Sequence, residues 1–353
     1  MKESFRDIAS IIQEGLPTVA ALAMEEFMDS KPELKNHYSA RQLQTCRKDF
    51  EYITLFFSAS IRYNRPEILA EFLGWCKSFF PTIDVPYEEV FGALMAIQKQ
   101  VIEFSHTSKL AEDIRYIVEE ATKMEGQHFA VHLSFIDDQD NPQAFEAREY
   151  LNLLLDTRRM EAFDLIYNLI NQGIPIKNIY LNIFQPVQYE IGRLWQKGEI
   201  SVAQEHYCTA ATQTLIANLY KYFLRPSGDK TMVAACAPGE LHEMGLRMLA
   251  DIFEMEGWHT VYIGANTPVN DLLKLIEKQK PLILALSATL PFNVAALDEI
   301  ISRIKKAEIS TKILVGGLPF KLSPGLWKDI GADAYAADAL SALQLAQDLI
   351  SKN

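Results

Sequence analysis

From about Ser4 to Phe129 apolar residues recur at three- and four-residue spacing, and the pattern breaks at Pro17, Lys31-Pro32, Arg65-Pro66, Phe80-Pro81 and Val85-Pro86. That period lines up apolar side chains on one stripe of a helix, and a proline stops a helix it does not start. Residues 1–135 are therefore predicted to form an all-helical domain of about five helices, with a globin-like arrangement one way of packing them. Ser134 to Pro142, containing Asp137-Asp138-Gln139-Asp140-Asn141-Pro142, is polar and turn-rich and reads as a linker. Helical periodicity resumes over about 143–156, 158–172, 176–197 and 201–224, with breaks at Gly173-Ile174-Pro175 and Gly198. Four helices joined by short loops predict an antiparallel four-helix bundle over 143–225.

After a hinge at Arg225–Lys230 the pattern changes. Val233–Ala237, His259–Gly264, Leu282–Ser287, Lys312–Gly316 and a short run at Ala334–Ala336 are β-rich and apolar. They alternate with helical patterns over about 242–256, 268–279, 293–306 and 338–351. Strand and helix in strict alternation predict a doubly wound, Rossmann-like α/β domain over 230–353, its parallel sheet in flavodoxin-like order with helices on both faces.

Composition narrows the class. With 353 residues, 49% of them hydrophobic, the chain can bury two or three separate cores. A formal charge of −12 argues against a broad electrostatic grip on DNA or an anionic membrane, because such binding must neutralise phosphates. Cys46, Cys76, Cys208 and Cys236 form no CxxC pair, which fits reduced thiols better than a disulfide framework. The first residues lack the apolar core of a signal peptide, and no apolar run is long enough to cross a bilayer. The expectation is a cytoplasmic protein that does not associate with membranes.

Two constellations carry chemistry. In the first, Pro238-Gly239-Glu240-Leu241-His242-Glu243-Met244-Gly245 follows the first strand and opens a helix, which is the corner where an open α/β sheet binds ligands. Glu240 stands two residues before His242 and can take one ring proton, which leaves the other nitrogen for a metal. The plainer reading is a loop histidine beside a capping glutamate. In the second, Trp195 near the end of one helix is followed after nine residues by Glu205-His206 near the start of the next, so a tight turn brings all three to one end of the bundle. The plainer reading there is a core tryptophan and a solvated pair.

Glu-x-His-x-x-Gly after a first strand, Ser287-Ala288-Thr289 at the end of a third and Gly316-Gly317 at the end of a fourth resemble the signature of cobalamin-binding domains. Many members have aspartate at the position of Glu240. The resemblance implies that His242 is the lower axial cobalt ligand in place of the dimethylbenzimidazole base, held by Glu240. It also implies that the displaced tail passes Gly245, Ser287, Thr289, Gly316 and Gly317. A bundle just before such a domain resembles the cap over the upper corrin face. Trp-x9-Glu-His in particular resembles adenosylcobalamin-dependent photoreceptors, including light-released repressors. By that resemblance Trp195 packs over the 5′-deoxyadenosyl group, Glu205 accepts its hydrogen bonds, and His206 reaches cobalt from above after photolysis.

The light-dependent repressors begin with a winged helix-turn-helix, whereas residues 1 to about 130 carry no recognisable basic recognition helix. They are rich in aromatics instead: Phe50, Tyr52, Phe56, Phe57, Tyr63, Phe72, Trp75, Phe79, Phe80, Tyr87, Phe91 and Phe104. An aromatic core explains these plainly. The sharper reading is a pocket for a flat ligand such as a haem or bilin, with Arg41, Arg47 or Arg62 for propionates and His106 or His128 for the ring, and no spacing selects among them. The domain arrangement resembles the photocobilins, which implies a bilin such as biliverdin or an output module in this domain. The expected function is light sensing through adenosylcobalamin, without catalytic residues, in a homo-oligomer that signals to an effector protein in trans. The alternatives are a corrinoid methyl carrier that works with a separate methyltransferase, and a cobalamin store.

Overall fold

The computed structural model describes residues 2–105, 108–125, 134–136, 140–223 and 228–351. Among these, the N-terminal block forms α1 (Lys2–Glu14), α2 (Leu16–Asp29), α3 (Pro32–His37), α4 (Ala40–Tyr63), α5 (Pro66–Phe79), α6 (Tyr87–Ser105) and α7 (Ser108–Met124). Helix α4 shows how the sequence sets such boundaries. Ser39 and Gln42 accept each other's backbone amides at its start, and Asn64 ends it in the left-handed conformation (φ 51°) just before Pro66 opens α5. The breaks expected near Pro17 and at Lys31-Pro32 are present, and the block has more helices than the five or so expected because Ser39 caps α4 apart from the short α3 and because α6 ends at Ser105 before α7 starts at Ser108. Phe50, Phe57, Ile61, Leu69, Leu73, Leu94, Ile97 and Ile114 centre its core.

The second block holds α8 (Ala144–Leu155), α9 (Arg159–Asn171), α10 (Ile176–Ile179), α11 (Gln185–Gln196) and α12 (Val202–Leu219). A π-helical turn at Tyr180–Phe184 joins α10 to α11, so the two make one element as the periodicity predicts. Ser134–Ile136, expected in the linker, docks on the bundle. Ile136 is buried in its core, and the Phe135 amide donates to Glu190 Oε2 at 3.0 Å. Residues 137–139 lie outside the described set.

The last block alternates as expected: β1 (Thr231–Cys236), α13 (Met244–Met255), β2 (His259–Gly264), α14 (Val269–Gln279), β3 (Ile283–Ser287), α15 (Val294–Lys306), β4 (Lys312–Gly316), α16 (Leu318–Leu322), α17 (Leu326–Asp329), β5 (Ala334–Tyr335) and α18 (Ala339–Ser351). All strand pairs are parallel, in the order β2-β1-β3-β4-β5. This is the flavodoxin-like order. Its reversal lies between β1 and β3, so a ligand crevice opens where those two strands end. From Met232 onward β1 is wholly buried, as a central parallel strand covered on both faces must be.

The chain divides into two units. The larger holds Val131–Ser287, Ile300–Gly316 and Ala332–Asn353, that is, the bundle with the sheet and most of its helices. Here Met248 and Ile252 of α13 enter the bundle core, Tyr180 Oη donates to Asp251 Oδ2 at 3.0 Å, and Tyr220 Oη donates to Glu254 Oε1 at 2.7 Å. The bundle is thus fastened to α13 by both apolar and polar contacts.

The other unit joins Met1–Ala130 with Ala288–Glu299 and Gly317–Gly331, the segments that leave β3 and β4. Phe292 meets Phe56 edge-on at 5.4 Å and Tyr52 at 6.2 Å. Arg65 Nη2 donates to Asp329 Oδ2 at 2.6 Å, and the buried Ser323 hydroxyl donates to Glu67 Oε1 at 2.7 Å. The segments Ala288–Glu299 and Gly317–Gly331 thus group with the N-terminal helices. The reason is that the partners of Phe292, Ser323 and Asp329 stand more than 230 residues away along the chain.

Candidate functional site

The turn after β1 is built around one buried carboxylate. The Ala237 amide donates to Ser287 O at 2.8 Å, Gly239 adopts φ +80°, and the Glu240 amide closes the turn onto Ala237 O at 3.0 Å. Glu240 is fully buried. Its Oε1 accepts the amides of Leu241 and His242 at 3.1 Å each and faces His242 Nδ1 at 2.5 Å. The His242 side chain is 60% exposed. With Nδ1 on the carboxylate, Nε2 is the nitrogen available to a metal. The Glu240 hydrogen bond raises the His242 pKa against burial, which lowers it, and the Glu240 and Glu205 charges add to the rise. Glu205 of the bundle is therefore near enough to act on this loop.

Contacts that the sequence reading missed hold the loop from the β2 side. Asn266 Oδ1 accepts the Gly239 amide at 2.9 Å, and Glu243 Oε2 accepts the Ala265 amide at 2.9 Å and Tyr262 Oη at 3.1 Å. A side chain at Gly264 (φ +83°) would stand 2.8 Å from Glu243 Oε2. The available signal was Gly264-Ala265-Asn266, a pair of residues tolerant of positive φ at a strand end. Beneath the loop, burial pushes the Cys236 thiol up to about 12, so it stays protonated.

The second constellation sits where α11 turns into α12. The Gly198 and Glu199 amides return to Trp195 O and Leu194 O at 2.9 Å each, with Gly198 at φ +70°. Ser201 and Gln204 then form a two-way cap that starts α12. Trp195 is half-buried against the bundle core. Glu205 Oε1 accepts the Thr209 hydroxyl at 3.1 Å, and Glu205 Oε2 holds His206 Nδ1. The His206 side chain is 75% exposed. The turn thus places Trp195, Glu205 and His206 at one end of the bundle. On the same α11, Glu190 is pinned by Arg193 Nε at 2.9 Å and by the Phe135 amide, which ties the incoming chain to the helix that carries Trp195.

Ser287 and Gly316 end β3 and β4 in register, with the half-buried Thr289 two residues beyond Ser287. The two glycines differ. Gly317 has φ +111°, and a side chain there would meet Ala288 O at 1.9 Å, so the protein itself requires glycine. At Gly316 the nearest atom to an added Cβ is Ala336 O at 3.5 Å, and at Gly245 nothing lies within 4 Å. An added methyl would make an ordinary contact at Gly316 and meet open space at Gly245, so the protein itself does not require glycine at either position. Among the described residues no cluster of three or more His, Cys, Asp or Glu side chains could hold a metal ion. The donor set is single imidazoles, which suits a metal that brings its own equatorial ligands. The residues present fit a corrinoid.

Two family models match. Residues 230–344 and residues 146–220 each match a B12 binding domain model. The chain carries B12-binding domains. The trimethylamine corrinoid protein of Methanosarcina barkeri is 24% identical over 161 residues, covering 44% of this chain and 73% of its own length. The HTH-type transcriptional repressor CarH of Myxococcus xanthus is 25% identical over 136 residues, covering 38% of this chain and 45% of its own. The solved monomethylamine corrinoid protein of M. barkeri superposes with a TM-score of 0.53 at 18% identity, covering 59% of this chain and 99% of its own. That likeness shows the fold: a helical cap with a Rossmann-like B12-binding sheet.

In the N-terminal unit the aromatics pack on one another. Phe56 stacks on Phe72 (4.1 Å), Trp75 on Phe79 (4.7 Å), and Phe50 and Phe57 are buried in the core. Arg41 is exposed and Arg47 pairs with Glu51. His106 and His128 lie outside the described residues. No helix among the described residues is long and apolar enough to cross a membrane.

Proposed function

We propose that the chain is an adenosylcobalamin-binding light sensor, in which loss of the upper ligand shifts the bundle and, through it, the assembly or an effector. The observation that carries this reading is Trp195 with Glu205-His206 on one turn, at the end of a bundle fastened to the helix behind His242. Bound adenosylcobalamin would supply a cobalt–carbon bond that light breaks. His242, its tautomer fixed by the buried Glu240, would hold the cobalt through Nε2. Trp195 would exclude water from the bound group, and Glu205 would offer a carboxylate to its polar atoms. Among the described residues His206 is held by its neighbour Glu205, and it is largely exposed, so it is the side chain that could turn toward a bound corrinoid. In this reading the chain performs no catalysis, works in the cytoplasm and assembles as a homo-oligomer. The N-terminal helices relay a signal without binding DNA. A bilin stays outside the reading, because the rings that suggested one stack on each other.

The test compares spectra. Protein loaded with adenosylcobalamin in the dark should change its visible absorption on green illumination, and His206→Ala should keep dark binding and lose the illuminated product. Unchanged spectrum and unchanged oligomeric state after illumination would sink the sensor reading. A second reading, a corrinoid methyl carrier with a separate methyltransferase, is favoured by the methylamine corrinoid proteins among the relatives. It requires preference for methylcobalamin and methyl transfer to an added acceptor.

A further inference from the structure

Helix α13 starts two residues beyond His242, with Glu243 at its N-cap. Glu243, Arg247 and Asp251 follow one another at four-residue spacing, which sets their side chains in a row along one face. Glu243 Oε2 accepts Tyr262 Oη of β2 at 3.1 Å. Arg247 lies over the Tyr262 ring, 5.2 Å from its centre, and its Nε donates to Asp251 Oδ1 at 3.1 Å. Asp251 Oδ2 accepts Tyr180 Oη at 3.0 Å, from the π-helical turn that leads into α11. An unbroken run of contacts thus joins the helix bearing Trp195 to the residue next to His242.

Burial makes this run stiff. Tyr180 is fully buried and the Asp251 side chain is 4% exposed, so a carboxylate there needs both oxygens occupied, and both are. A polar network whose members are all satisfied holds one geometry. At the loop end Glu243 Oε2 also accepts the Ala265 amide, so Tyr262 and Glu243 together set where the Glu240–His242 turn stands against β2. At the other end lies a π-helical turn, a feature that recurs at functional sites. Tyr220, just past α12, binds α13 differently: its hydroxyl ends on Glu254, whose other oxygen takes the Thr260 hydroxyl, so this bond fastens the bundle outside the run.

We propose that Tyr180, Asp251, Arg247 and Tyr262 are positioning residues for His242, which carry the stance of the bundle to the histidine loop and so set how firmly the imidazole holds cobalt. The coupling is reciprocal: a bond made below steadies the bundle as much as the bundle steadies the bond. The inference rests on His242 as the cobalt ligand and applies to a light sensor and a methyl carrier alike.

The test loads full-length protein, grown with heavy-nitrogen histidine, with cob(II)alamin and records its paramagnetic resonance spectrum. An axial histidine then splits the lines into pairs, where the dimethylbenzimidazole base gives triplets. Wild type should show pairs, and His242→Ala should lose them. Tyr180→Phe and Tyr262→Phe, each removing one hydroxyl, should lower the share of bound cobalamin that shows pairs. Combined, they should weaken cobalamin binding at least about threefold less than the product of the single effects, the mark of residues in one network. Tyr220→Phe, which loosens the bundle from α13 outside the run, should leave the share at the wild-type level. A Tyr180→Phe protein with the wild-type share, single effects that multiply, or an equal fall in Tyr220→Phe would overturn the positioning chain and leave His242 as the ligand. Pairs that persist in His242→Ala would sink the ligand assignment, and the chain with it.

Discussion

Adjacent glycines at the end of β4 should fail in different ways when replaced by alanine. At Gly317 the backbone sits at φ 111°, ψ 174°, a region that side chains other than glycine's rarely adopt, with a cost of about 1–3 kcal/mol. An added Cβ would also lie 1.9 Å from Ala288 O and 2.8 Å from its carbonyl carbon. Those are backbone atoms that no rotamer change can move, so the two segments must separate. Gly317→Ala should therefore lower stability by more than about 3 kcal/mol even without ligand. Gly316 has no positive φ, and its nearest contact would be 3.5 Å. Alanine there should change stability by less than about 1 kcal/mol, in the stabilising direction, since strand glycines lose more chain entropy on folding. Its methyl group would instead occupy the path of a threaded corrinoid tail. The assays are urea unfolding of the ligand-free chain by circular dichroism and absorbance titration with adenosylcobalamin in the dark. A Gly317→Ala protein as stable as wild type would refute the steric argument. A Gly316→Ala protein that binds cobalamin as wild type does would refute the threading argument.

Glu240→Ala removes the common acceptor of two amides and the His242 ring, and should weaken cobalamin about 10–100-fold by absorbance titration while the sheet stays folded. Asp251 gives a pH signature, because burial raises its carboxyl from 3.8 to about 6 despite Arg247 and the Tyr180 hydroxyl. A raised folded pKa means a contribution fully present below 3.8 and lost as pH rises past about 6. Relative to Asp251→Asn, wild type should therefore lose about 3 kcal/mol across that window in urea melts, and a flat difference would contradict a desolvated carboxylate.

The sequence by itself determined the order of architectures and most element positions. Helical periodicity and alternating β-rich runs are local signals, and His259–Gly264 and Lys312–Gly316 fall as strands where they were predicted. The Glu-x-His motif was legible for the same reason: Glu240 and His242 are two residues apart, and a single tight turn suffices to pair them. The boundaries between α3 and α4 at Ser39 and between α6 and α7 after Ser105, and the π turn at Tyr180–Phe184, were not legible, since no proline lies in them and they leave the hydrophobic stripe nearly unchanged.

Tertiary structure alone decided the long-range pairings. Asn266 and Glu243 brace the histidine loop across the β1–β2 boundary, Tyr180 reaches Asp251, and Phe292, Ser323 and Asp329 join the N-terminal helices. Each of these contacts closes a chain loop of 20 to several hundred residues, and residue type alone carries no record of which distant partner will stand opposite. The difference between Gly316 and Gly317 is of that kind: identical neighbours in sequence, of which only one lies against the Ala288 carbonyl once β3 and β4 are side by side.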